Sequence, residues 1–221
     1  MAVAPDATAT TSGEVISTLT ITAFTISGSN RAGLLGLSHL NNTATSITGS
    51  IGGTSGTAIT GTDSTTTKTW RSLMFGVTAP PTGSQTATMS WTGDTDAVLG
   101  VITATGVDQT TPFNNGTFAS GASAQTSVTI TSATDDMTAD TISIDGNPTT
   151  SNQTSQWATQ TPNGLGGAGS RAAGAATVTH TRDATLGPTN WTASGANYKQ
   201  AAAAAADGFD GRVLRSRMRE W

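Results

Sequence analysis

Cysteine is absent from this chain, so neither a disulfide nor a thiolate zinc site holds it together, and burial alone must do so. Charge is scarce as well. Charged residues make up 11% of the 221 residues, and the net charge is -4. Only Arg31, Lys68, Arg71, Arg171, Arg182 and Lys199 are basic before residue 201. Clustered cations are what give a surface affinity for phosphate, so nucleic acid is not expected as a partner. The segment MAVAPDATATTSGE lacks a basic stretch followed by an apolar run, and no 18 apolar residues occur together. Neither an export signal nor a helical membrane span is therefore expected. A charged fraction this low also falls below the roughly 25–35% suited to the surface of a free domain, which implies that part of the surface is covered in an assembly.

What is present instead is threonine, at 46 positions, with 32 alanines, 26 glycines and 22 serines. A β-branched hydroxyl side chain suits a pleated, half-wet surface and loses χ1 freedom in a helix, so the composition means β-structure. Leu, Ile, Val and Phe together number 34, few for a globular core, yet the small net charge leaves no repulsion to hold the chain open.

Period-two alternation recurs in short blocks: Ala87, Met89 and Trp91 against Thr86, Thr88 and Ser90; Val128 and Ile130 against Thr129 and Thr131; Ile142 and Ile144 beside Asp140 and Asp145. Further strands are predicted over 15–26, 32–40, 45–51, 69–78, 97–105, 153–160, 174–182 and 189–196. Ser27-Gly28-Ser29-Asn30, Pro80-Pro81-Thr82-Gly83, Gly93-Asp94 and Asp145-Gly146-Asn147-Pro148 supply the turns between them. Short strands in series without helices predict an all-β fold, an antiparallel two-sheet β-sandwich of jelly-roll-like form. The expected layout is an extended N-terminal arm over 1–13, the sandwich over 14–200 and a C-terminal tail over 201–221.

The tail differs in kind. Six alanines at 201–206 and a glycine-flanked link lead into Arg212, Val213, Leu214, Arg215, Ser216, Arg217, Met218, Arg219, Glu220 and Trp221. In a helical turn Leu214, Met218 and Trp221 form an apolar stripe beside Arg212, Arg215 and Arg219. This is the pattern of a docking peptide, to be set against a tail folded onto its own body.

Catalytic signals are thin. Gly164-Leu165-Gly166-Gly167-Ala168-Gly169 matches G-x-G-x-x-G but lacks the strand–turn–helix context that lets glycines cradle a pyrophosphate, and reads as an inter-strand loop. His39 and His180 each sit in an alternating strand and are expected to line a sheet face; with no G-x-S-x-G elbow, hydrolase chemistry is not expected. Asp94 with Asp96, Asp135 with Asp136, and Asp207 with Asp210 read as turn aspartates, since none reproduces a calcium loop. Neither a metal nor another cofactor is expected. Trp91 is in phase with Met89 and belongs in the core, while Trp157, among polar neighbours, is the candidate for stacking on a glycan.

The segment Val101 to Phe113, VITATGVDQTTPF, resembles a recurrent signature of β-sandwich domains in tailed-phage structural proteins, also met in some bacterial surface proteins. Ser27 to Arg31 before Leu34-Leu35-Gly36-Leu37, Ala79 to Gly83 before Thr86 to Trp91, and Val128 to Ala133 before Asp136 resemble it in the same order, over residues of about 25–195. The family closes with tryptophan and an apolar strand, whereas Trp191 here precedes Thr192-Ala193-Ser194-Gly195-Ala196-Asn197. The resemblance implies a non-enzymatic virion protein, a capsid decoration or head-fibre component. Its partners would be the major capsid protein or neighbouring structural subunits, present in many symmetric copies or as a homo-oligomer. The alternative is an adhesin-like, carbohydrate-binding tail-fibre piece that recognises host glycan.

Overall fold

The computed structural model describes residues 1–40, 44–64, 69–185 and 189–203, and among these there is no helix. The all-β expectation holds, and every strand pairing is antiparallel. The strands of the described residues form three sheets where two were expected.

The first sheet contains β1 (Ala4–Ile26), β2 (Ala32–Leu40), β3 (Thr45–Ile51), the two-residue β4 (Thr54–Ser55) and β5 (Thr57–Ala58), β6 (Trp70–Thr78) and β7 (Gly83–Thr105). Its order is β4-β3-β7-β2-β6-β5, with β1 along the other side of β7. The second sheet, ordered β12-β13-β10-β15-β8, uses β8 (Phe113–Ser123), β10 (Met137–Asp145), β12 (Thr154–Gln160), β13 (Leu165–Ala173) and β15 (Thr189–Tyr198). The third, β11-β14-β9, uses β9 (Gln125–Thr131), β11 (Pro148–Ser151) and β14 (Thr177–Ala184).

The ribbon of β1 and β7 shapes the first sheet. Each strand is 23 residues long and they pair from Ala4↔Thr105 to Ile26↔Gly83, with register breaks around Gly13 to Thr18. Bulges strengthen local twist and bend a strand, and here the ribbon turns back on itself. Asp6 staples its two ends: its carboxylate accepts from Ser27 N at 3.0 Å, Ser27 Oγ at 2.5 Å and Thr103 Oγ1 at 3.0 Å. The sheet thus nearly closes around Leu35, Leu37, Leu73, Phe75, Met89 and Leu99. Residues 4–13, expected as an arm, are instead the first part of β1, because Ala7 and Ala9 pack on this core and β7 offers them a paired edge.

Even-numbered residues of β7 face away from that core, and they change character along the strand. Ser84, Thr86, Thr88 and Ser90 are exposed or half-buried, whereas Val98, Gly100, Ile102 and Ala104 are buried. The second sheet lies over that latter half, with β10, β13 and β15 against β2, β6 and β7. Met74, Val98, Ile102, Met137, Ala139, Leu165 and Tyr198 fill the layer between. The third sheet covers the opposite face of the second, burying Val128, Ile142, Ile144, Ala168, Trp191 and Ala193. The central strand β10 is consequently buried from Met137 to Ile144.

Glycines set the distance between the first two layers. A Cβ at Gly100 would lie 2.1 Å from the Trp157 indole, one at Gly169 2.3 Å from it, and one at Gly36 3.3 Å from it. Gly167 would meet Val98 at 2.4 Å. Of the Gly164 to Gly169 run, expected as a loop, only Gly164 lies in the turn, with a φ of 97°; Leu165 onward is the start of β13, where Gly166, Gly167 and Gly169 replace side chains for which there is no space.

Gly100→Ala and Trp157→Ala should each lower stability by about 2 kcal/mol or more, the first by overpacking and the second by leaving a cavity. Thr129→Ala, on an exposed face, should stay within about 0.5 kcal/mol. Urea unfolding midpoints of the three variants check this ordering.

Candidate functional site

Strand β14 carries Val178, His180 and Arg182 on its inward face, and the last two are 1% exposed. Buried charged and imidazole groups need partners, and neighbouring strands supply them. Ser170 of β13 donates to Asp140 Oδ1 from both its backbone N, at 2.6 Å, and its Oγ, at 2.7 Å. The same Oγ lies 2.8 Å from His180 Nδ1, and Thr138 Oγ1 lies 2.9 Å from His180 Nε2. The serine has one proton and gives it to Asp140, so it accepts from His180 Nδ1, which fixes that nitrogen as protonated. Asp140 Oδ1 itself is 3.5 Å from His180 Nδ1.

Arg182 closes the cluster, donating to the carbonyls of Thr149 at 3.1 Å and Gly169 at 3.3 Å and to Ser155 Oγ at 3.0 Å. Burial would push the Asp140 carboxyl up; the adjacent His180, the Ser170 hydroxyl and the charge of Arg182 outweigh it and hold the group below its ordinary range. Burial lowers Arg182, and Asp140 opposes that shift.

Serine, histidine and aspartate are together here without the geometry of a nucleophile. In a catalytic triad histidine stands between carboxylate and serine; here serine stands between carboxylate and histidine. Ser170, His180 and Asp140 are 1%, 1% and 2% exposed, so the oxygen is sealed between the second and third sheets. His39 is likewise buried, in β2, facing the core of the first sheet as its strand phase predicted.

A second constellation gathers at one pole, where the described chain ends meet. Val3 N donates to the Asp135 carbonyl at 2.8 Å. Asp136 accepts from Gln200 N at 2.8 Å, Asn197 Nδ2 at 2.7 Å and Ala133 N at 3.1 Å. Ala201 N donates to the Gly106 carbonyl at 2.8 Å, and Gly106 has a φ of 73° with the Ala2 carbonyl beside it. Asp108 caps the turn after it, accepting from Thr110 N and Thr111 N, and pairs with Lys199 at 3.0 Å. Lys199 and the two N–H donors lower its carboxyl to about 2.

Within the acidic pairs, the Asp96 and Asp136 carboxylates accept from backbone N–H groups, Asp96 Oδ1 from Val15 N at 3.0 Å, while Asp135 contributes its backbone carbonyl to Val3; Asp94 and Asp96, expected in a turn, lie within β7 where the ribbon bends. No cluster of three or more metal-ligating acidic, His or Cys side chains occurs among the described residues. Asp207 and Asp210 lie outside them, as do all the tail residues singled out: Arg212, Val213, Leu214, Arg215, Met218, Arg219 and Trp221.

Trp157 is 5% exposed, with its indole between Gly100 and Gly169, so it has no face to offer a sugar. Its neighbours are polar because β12 is an edge strand and Trp157 is its one buried residue. Trp70, Trp91 and Trp191 are buried too. Trp91 Nε1 donates to the Ile16 carbonyl and Trp191 Nε1 to Ser123 Oγ.

Comparison of the chain with known family models, with curated proteins and with solved structures finds no match in any of the three.

Asp140→Asn should destabilise by about 3–5 kcal/mol at neutral pH, because Arg182 keeps its buried charge without a counter-charge. The Asp140 carboxyl is held below its unfolded value, so its contribution is complete above about pH 4 and is lost as pH falls through the folded value. Urea midpoints measured from neutral to acid pH should show the gap between the native chain and Asp140→Asn narrowing below about pH 4.

Proposed function

We propose that this chain is a non-enzymatic structural protein of a tailed-phage virion, a capsid decoration or head-fibre component, held on the particle by its C-terminal segment. One observation carries the reading: Val3 and residues 199–201 are fastened at one pole by Asp135, Asp108, Asp136 and Gly106, with Ala2 beside Gly106. A segment leaving from Ala203 starts at the end of the body, which suits a projection held from below. The first and second sheets are taken as the two layers of a jelly-roll-like sandwich, with the third as an added cover.

The rest of the body agrees with this use. Its exposed strand faces carry hydroxyls, as in Thr129 paired with Thr179 and Thr20 with Thr88, which neither attract nucleic acid nor present a nucleophile held by a base. The partners are the major capsid protein or neighbouring structural subunits, engaged by Leu214, Met218 and Trp221 through burial and by Arg212, Arg215 and Arg219 through acidic rims. Many symmetric copies are expected, because a shell repeats the same site.

Deleting residues 207–221 should leave the body folded and release it from purified particles; full occupancy after the deletion contradicts the anchor. Quantitative mass spectrometry of intact particles should give a copy number comparable to that of a shell protein, whereas a handful of copies points to a fibre or the portal vertex.

A further inference from the structure

We infer that the cleft between β5 and β8 is a binding site for a neutral saccharide. The inference is independent of how the chain is anchored and concerns a place other than Trp157. The cleft encloses about 420 Å³, within the roughly 300–1,000 Å³ of small-ligand sites. It opens where the edge of the first sheet, at Thr57 and Ala58, faces the edge of the second, at Phe113 to Gly116.

Its chemistry selects the ligand. None of the lining residues is charged, so nothing offsets the desolvation of a phosphate, carboxylate or ammonium entering it. Ile59, Pro112 and the half-buried Phe113 ring make an apolar patch. The ring is held by Tyr198, 5.0 Å away between centroids, and by Gly76, where a Cβ would come within 2.4 Å of it. Around it stand the hydroxyls of Thr57, Thr60, Thr78 and Thr110 and the exposed carboxamide of Asn114. An aromatic patch rimmed by neutral donors and acceptors matches a sugar, which has a C–H face and a hydroxyl rim. An extended peptide fits less well, because strand addition needs a run of edge backbone: β5 is two residues long, and the backbone at Thr60 and Gly61 already lies against the β8 edge at Gly116.

The cleft also gives the Val101 to Phe113 segment a role. Asp108 caps the turn that delivers Thr110, Thr111 and Pro112 to the cleft wall, and Phe113 opens β8 at its floor.

The test is NMR titration of the ¹⁵N-labelled full chain with methyl β-glucoside, N-acetylglucosamine and maltose, with N-acetylneuraminic acid as the charged comparator. At least one neutral sugar should shift amide signals of Ile59, Gly76 and Phe113 saturably. Asn114→Asp, an exposed isosteric change that places charge on the rim, should weaken that binding about tenfold, as should Phe113→Leu, which keeps an apolar side chain and removes the ring. Thr129→Asp, on the third sheet, should leave it unchanged. No saturable shift at these residues at tens of millimolar sugar overturns the inference. So does binding indifferent to Asn114→Asp and Phe113→Leu, or a preference for the charged sugar.

Discussion

The contact on which the layers depend is an indole laid on backbone. Trp157 reaches from the edge strand of the second sheet into a slot bounded by Gly36, Gly100 and Gly169, one glycine from each of three strands in two sheets. Sheets packed face to face usually stand about 10 Å apart, separated by interdigitating side chains. A chain with 34 large aliphatic and phenylalanine residues cannot fill such a layer everywhere. It brings backbone close where side chains are missing and spends one large aromatic on the space left. This is why the glycines fall in strand interiors, where they are otherwise unfavourable. A methyl group at Gly100 or Gly169 would push the layers apart along their whole contact.

That constraint also explains which parts of the fold were legible. The bounds of β2 and β3 follow from alternation and turns, and coincide with the predicted 32–40 and 45–51. The predicted strands at 86–91 and 97–105 are one strand, because Gly93-Asp94 bends the ribbon without ending it, with φ 93° at Gly93. The sequence even marks where β7 passes beneath the second sheet, since its even positions change from Ser and Thr to Val98, Gly100, Ile102 and Ala104. Strands β8 and β13 were illegible for opposite reasons. FNNGTFASGAS is a half-exposed edge with little apolar content, and LGGAGSRAA is a buried strand made of residues that carry no strand propensity. Trp191 begins an ordinary central strand despite its polar followers, because Ser194 finds Ser72 at 2.7 Å across the layer.

The buried cluster was half legible. Val178, His180 and Arg182 occupy every second position of β14, and a histidine and an arginine on the apolar phase of a strand signal a polar core. Their partners Thr138, Asp140, Ser170 and Ser155 come from three other strands, and pairing across sheets leaves no trace in local spacing.

What the cluster does for the fold is set register more than strength. Exchanging the hydration of a buried carboxylate and guanidinium for their mutual attraction and several hydrogen bonds gains little net energy inside a protein. The third sheet is small, three strands with β11 only four residues long, and β9 and β14 alternate hydroxyl and apolar residues with little to distinguish one register from the next. A slip of one residue would turn Thr177, Thr179 and Thr181 inward and carry His180 and Arg182 out to water, leaving the Asp140 carboxylate buried with Ser170 but without the charge of Arg182. A slip of two would preserve the alternation and move both groups one pleat away from Ser170 and Asp140. Threonine alone penalises neither error strongly, whereas a buried carboxylate separated from its counter-charge penalises both. In a chain whose surfaces are so uniform, one charged cluster placed between two sheets makes the assembly unique.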